Sequence, residues 1–278
     1  MTADLLFRFL LRAQIASAIA VVVVLLLRAP ARRLIGAELT YRLWSAAPVA
    51  ALVSLFPGLP DYLKDWSSWS LSPTPLDKTL STPYAAEALW VWMAGGLVLA
   101  GLMAVSEASF RRRARMGVAG PAVMGVSWPR IVTPSDYTLR FTAAERELID
   151  RHERVHIARR HPHANLFIAA MQVLGWFNPL VHVAAVCARM DQELACDAAV
   201  IEAWPDCRRD YGATLLKAHL ARPRSPLACA WAAGARHPLE VRLTMLAKRP
   251  LSLAHYMRGA TFVGLMAFLV AGVVWTAV

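Results

Sequence analysis

The stretch RHERVHIARRH, residues 151–161, places His152 and His156 four residues apart with Glu153 after the first. On an α-helix that spacing puts both imidazoles on one face, one turn apart, where they can reach a single metal ion. Glu153 lies beside them, placed to take a proton from a metal-activated water without being a ligand. The chemistry expected of such a pair is zinc-assisted hydrolysis. A catalytic zinc needs a third protein ligand and one open position. The run ARMDQELACDAAV, residues 188–200, offers Asp191, Glu193 and Asp197. Glu193 and Asp197 are four apart and share a helical face. One suits the metal, and the other suits the hydrogen bond that fixes the tautomer of a ligand histidine. The plainer alternatives are a solvated basic helix with incidental histidines, and a Glu193 that merely pairs with Arg189 one turn earlier.

These residues need elements to hold them. Thr142 and Glu145 have the spacing of a capping box, so a helix is expected from Ala143, running through the two histidines to Pro162. Pro179 suits the first turn of a long helix that ends before Pro205 and carries Glu193 and Asp197. Between them, the apolar stretch 166–186 is preceded by Asn165 and contains Gln172, Asn178–Pro179 and His182, and reads as a buried or membrane-dipping hairpin rather than a crossing. Ahead of the histidine helix, PAVMGV and PRIVTP read as two short strands. Further helices are expected at about 210–220 and 239–248. His161, His163, His182, His219, His237, Tyr211 and Arg236 are candidates to stabilise an oxyanion. Cys196 reads as packing. Trp176 and Phe177 read as core or membrane contacts.

The rest of the chain is built for a membrane. Its 278 residues are 57% hydrophobic, with a formal net charge of +11. Apolar blocks at about 5–27, 39–56, 88–105 and 259–278 approach the 17–25 residues that a helix needs to span a bilayer. The region 107–258 holds 22 of the 30 lysines and arginines against 13 of the 19 acidic residues. The positive-inside rule then places 107–258 in the cytoplasm and the Ser-, Thr- and Pro-rich loop 57–84 outside. RAPARR after the first block reads as a stop on the cytoplasmic side, not a signal-peptide cleavage site. The basic clusters abut apolar blocks, so anionic lipid is the expected partner and direct nucleic-acid binding is not. All four cysteines fall in the cytoplasmic region, where they should stay reduced, and none forms a C-x-x-C pair.

Taken together, GPAVMGVSWPRIVTP, HERVHIARR, NLF, GWFNPL and RMDQELACDAAV resemble the membrane zinc metallopeptidase domain of the BlaR/MecR-type beta-lactam sensor-transducers. The similarity runs over about residues 115–250, and the apolar blocks match that family's layout. It implies a mainly α membrane protein: three transmembrane helices within 1–106, a cytoplasmic gluzincin-like domain with a small β element at 107–258, and a fourth transmembrane helix at 259–278. It implies Zn²⁺ bound by His152, His156 and Glu193, with Glu153 as general base. Similarity to thermolysin-like peptidases makes Asp197 the partner of a ligand histidine. The strand around Arg130, Ile131 and Val132 would bind an extended substrate at its edge. The implied location is the bacterial inner (cytoplasmic) membrane. The implied substrate is a cytoplasmic protein, a transcriptional repressor or the chain itself, cleaved in signal transduction linked to antibiotic resistance. Two departures stand out. His161 occupies a position where the family often carries Asp, and no penicillin-binding domain follows the fourth block. The chain then reads as a sensorless member or a shortened copy, with a separate sensor protein or a second copy of itself (a homodimer) as a further partner. The rival readings are a non-enzymatic transducer that binds a cytoplasmic partner, and a general membrane quality-control protease.

Overall fold

A computed structural model describes residues 2–55, 82–220, 238–247 and 257–265. The chain divides into two compact units that are interleaved in sequence. One comprises Met1–Met103, Ala169–Ala188 and Ser252–Val278, and the other Ala104–Ile168 and Arg189–Leu251.

The first unit is built from apolar helices. Helix α1 spans Ala3–Leu34. A short α2 (Gly36–Arg42), a 3₁₀ turn at Leu43–Ser45 and α3 (Ala46–Val53) follow in immediate succession. The apolar block 39–56 is therefore not one helix. Pro48 supplies the reason, because its ring conflicts with the carbonyl four residues earlier, at Trp44, where the backbone tightens into the 3₁₀ turn. Helices α1 and α3 meet through Ala16, Ala20, Ala47 and Ala50, small residues that let two backbones approach closely. The arginines within α1 have local solutions. Arg8 pairs with Asp4 at 2.8 Å, and Arg12 is 5% exposed, turned inward.

Helix α4 spans Ala85–Arg115, about 46 Å at 1.5 Å per residue. That length exceeds a hydrocarbon core of about 30 Å and carries Arg111–Arg113 beyond it. Trp90, Val91, Leu97, Val98, Leu102 and Val105 are all exposed, the surface of a helix made for lipid rather than water. Helices α1 and α4 are the two that are long and apolar enough to cross a membrane among the described residues. Within the same unit Trp92 donates its indole N–H to the Leu174 carbonyl at 2.8 Å, and Trp176 donates its own to the Trp92 carbonyl at 3.0 Å. Gly95 makes room for this pairing, since a Cβ there would lie 2.1 Å from the Trp176 ring. His182 closes the 175–178 turn through Trp176 and Gln172. Residues 257–265 are helical, and the rest of the expected fourth span lies outside the described residues, as does most of loop 57–84.

The second unit carries the two strands and the polar helices. Strands β1 (Ala122–Met124) and β2 (Arg130–Val132) form an antiparallel pair with Val123 opposite Ile131. Gly120 sits at φ +105°, and a Cβ there would come within 2.3 Å of the Val132 carbonyl oxygen, so the chain can enter β1 only through glycine. A single turn, α5 (Tyr137–Arg140), leads to α6 (Ala143–Ala158). Both strands contact α6. The capping box is complete: Thr142 Oγ1 accepts from the Glu145 amide, and Glu145 accepts from the Thr142 amide.

Helix α6 ends at Ala158, four residues before the expected Pro162. Arg160 takes a left-handed φ of 54°, and a new helix, α7 (His161–Leu174), begins at once. Pro162 opens that helix instead of closing the last one, because a proline in a first turn forfeits no hydrogen bond. Helix α8 (Pro179–Ala203), α9 (Arg208–Leu220) and α10 (Pro238–Leu246) follow. A core of Leu148, Val200, Ile201, Tyr211 and Leu246 draws one side chain or more from each of α6, α8, α9 and α10. These four helices also hold the candidate site, so the core sets its geometry.

Candidate metal centre

His152 and His156 lie on α6, and Glu193 on α8, each with a ligand atom turned to one point. The two Nε2 atoms are 3.1 Å apart. Glu193 places one carboxylate oxygen 3.4 Å from His152 Nε2 and the other 3.5 Å from His156 Nε2. A tetrahedral ion with bonds of about 2.0–2.1 Å holds its ligands about 3.3–3.4 Å apart. The donor set therefore fits such an ion in both distance and type, two imidazoles and a carboxylate. The histidine side chains are 10% and 12% exposed and that of Glu193 is 35% exposed, so the cluster meets solvent on the Glu193 side. Glu153 follows His152 on the helix and is half-buried. Asp191 is buried on α8 and is not part of the cluster.

Behind His152 stands a relay. The Tyr211 hydroxyl lies 2.7 Å from His152 Nδ1 and donates to Asp197 at 2.7 Å. It thus accepts the Nδ1 proton, so Nε2 is the nitrogen that offers a lone pair to the cluster once its own proton is displaced. Asp197 also stands directly 3.4 Å from His152 Nδ1. Tyr211 is 3% exposed and behind the ring, so the structure gives it this role and not that of an oxyanion donor. Arg242, from α10, had no place in the sequence reading. It grips Asp197 through two hydrogen bonds of 2.7 Å and reaches Glu193 at 3.1 Å. Glu193 is thereby paired with Arg242, where the sequence had offered Arg189. Arg242 was signalled weakly, as the single cation of PLEVRLTML, set between Val241 and Leu243.

Charges in this network are strongly coupled. Burial opposes charge on His152, but Asp197 and Glu193 outweigh it and push its pKa up to about 10. Burial, helped by the charges on His152 and Arg242, takes His156 down to about 4. Burial would raise Glu193, yet His152 and Arg242 hold it at about 2. Asp197, fully buried, is held well below the usual carboxylate range by Arg242 and His152. A cation at His152 Nε2 must displace a proton there, so its affinity falls as pH falls.

On the other side of His156, His161 is 1% exposed, with its Nδ1 3.0 Å from His156 Nδ1. Burial and the neighbouring positive charges push His161 down to about 3. Cys196, which reads from spacing alone as packing, is fully buried, with its sulfur 3.4 Å from His161 Nδ1. His182 is engaged in the 175–178 turn, while Arg236 and His237 lie outside the described residues. Arg130, Ile131 and Val132 form β2, which pairs on one side with β1 in a two-stranded sheet.

Residues 8–117 and 111–246 match the family described as BlaR1 peptidase M56. The chain belongs to this family of membrane peptidases. Over 101 residues it is 32% identical to the regulatory protein BlaR1 of Bacillus licheniformis, a match covering 36% of this chain and 17% of that protein. No solved structure matches the chain.

Proposed function

We propose that the chain is a membrane-embedded zinc metalloendopeptidase that cleaves a cytoplasmic protein to relay a signal. The observation that carries this reading is the set of 3.1–3.5 Å separations among His152, His156 and Glu193, with Glu153 adjoining. Zinc bound there supplies Lewis-acid polarisation of a peptide carbonyl and a lowered pKa for water. The side chains supply the rest. Tyr211 and Asp197 hold the Nδ1 proton of His152, and Arg242 fixes the two carboxylates that face it. Glu153 takes a proton from the attacking water and returns it to the leaving amine. The edge of β2 at Arg130–Val132 aligns an extended substrate by strand addition.

The layout that goes with this reading has four transmembrane helices, the peptidase region 107–258 in the cytoplasm, and a bacterial inner membrane as its home. The relative's name, regulatory protein BlaR1, supports a signalling role with a repressor as substrate and beta-lactam resistance as the setting. Glu153→Gln tests the chemistry. It should lower turnover of a cleaved substrate by about 10²–10⁴-fold while leaving bound zinc unchanged. Full turnover in that variant would remove Glu153 from the mechanism.

A further inference from the structure

His156 faces two ways. Its Nε2 lies with His152 and Glu193, and its Nδ1 lies 3.0 Å from the Nδ1 of His161. The left-handed turn at Arg160 brings the fifth residue after His156 back against its ring. Two ring nitrogens at hydrogen-bond distance need one N–H and one lone pair between them. A neutral imidazole that offers Nε2 to a cation carries its proton on Nδ1. His156 is therefore the donor and His161 Nδ1 the acceptor, which leaves the His161 proton on its own Nε2. The Cys196 thiol, 3.4 Å from the same nitrogen, is a second and weaker donor to it.

We propose that His161 is a positioning residue for His156, holding its tautomer and ring orientation, with Cys196 packed behind as a fixed wall. The proposal rests on the reading of His156 as a metal ligand. The two histidines then differ in kind. His152 is backed through Tyr211 by the anionic Asp197, and His156 by a neutral ring. A neutral acceptor draws less on the Nδ1 proton than a carboxylate does, so His156 is the weaker donor of the pair. The atoms of His156, His161 and Cys196 also lie close enough to share a soft cation. That arrangement requires stripping the His156 Nδ1 proton and a buried thiol proton, whereas the hydrogen bond requires neither.

The test is zinc affinity of the full chain in detergent, measured by chelator competition, for wild type, His156→Ala, His161→Leu, His161→Asn and His161→Asp. His161→Leu should bind zinc about 10–100-fold more weakly. His161→Asn, whose side-chain oxygen accepts the same proton, should recover most of the loss. Should His161→Leu fail to fold, His161→Asp decides. A residue that only fills space would lose zinc affinity when replaced by a buried carboxylate, but an acceptor for Nδ1–H should hold zinc at least as tightly as wild type. Wild-type affinity in a folded His161→Leu, or weaker binding in His161→Asp, would overturn the proposal. So would a thiolate-to-cobalt charge-transfer band in the cobalt-loaded wild type that vanishes in Cys196→Ser, because His161 and Cys196 would then be ligands of a second ion. Undiminished zinc in His156→Ala would sink the metal reading itself and this inference with it, whereas loss of zinc in His156→Ala with none in His161→Leu would sink the inference alone.

Discussion

Tyr211 does for His152 what no residue near it in sequence could do. Its hydroxyl spans the 3.4 Å between His152 Nδ1 and Asp197 with two bonds of 2.7 Å. Tyr211→Phe keeps the ring in the core and deletes the relay. It should weaken zinc about 10–100-fold and lower stability by about 1–3 kcal/mol, because a buried nitrogen and carboxylate lose a partner. Chelator competition and thermal unfolding would check the two effects, and unchanged zinc affinity would remove Tyr211 from the site. At this scale the sequence was legible where partners are local. His152, Glu153 and His156 lie within one and a half turns, and Glu193 with Asp197 share one face of a second helix. Tyr211 and Arg242 were not assigned their places, because which face of α9 and α10 turns inward depends on packing against α6 and α8, and His161 was not, because the left-handed turn at Arg160 brings it back against His156. Arg242 left the clearest trace. A lone arginine between Val241 and Leu243 asks for a buried anion, and Asp197 is that anion.

Helix α6 carries three of the four central residues, so its ends matter more than its length. Its start was legible because the capping box is a local motif. Its end was not, because Pro162 permits either stopping one helix or starting the next, and the left-handed Arg160 that decides between them has no signature in residue type. Thr142→Ala should cost about 1 kcal/mol of stability. Glu145 adds a pH dependence. Its hydrogen bonds to Lys217 and to the Thr142 amide lower its pKa below the ordinary 4.5. A carboxylate depressed in this way contributes fully above pH 4.5, and its contribution is lost as pH falls through the folded value. Glu145→Gln should therefore flatten the acid limb of the stability profile, and an unchanged limb would show that the pair with Lys217 carries no weight. The second apolar block was legible as apolar and as interrupted by Arg42 and Pro48, but not in the place of its break, since the effect of Pro48 falls four residues upstream of it.

For the whole molecule, the account depends on which side of the membrane the centre faces. The proposed function takes the basic excess of 107–258 as the sign of a cytoplasmic face, beside the proteins it would cut. In a background free of native cysteines, Ser127→Cys lies at an exposed position and should resist a membrane-impermeant thiol reagent in intact cells, whereas Ser68→Cys in the 57–84 loop should react. Reversed labelling would turn the topology over and exclude a cytoplasmic substrate. Composition was enough to read the apolar helices and the basic region. It was not enough to read how residues 169–188 join the unit of apolar helices while 189–203 of the same helix α8 join the other, because that division is made by packing rather than by hydropathy. The central claim is a single metal held between α6 and α8. It is tested most directly by the zinc content of the detergent-purified chain, wild type against Glu193→Ala. About one zinc per chain, lost or much weakened in the variant, is the expected result. A folded wild type that holds no zinc, or a variant that holds it as tightly, would contradict the account.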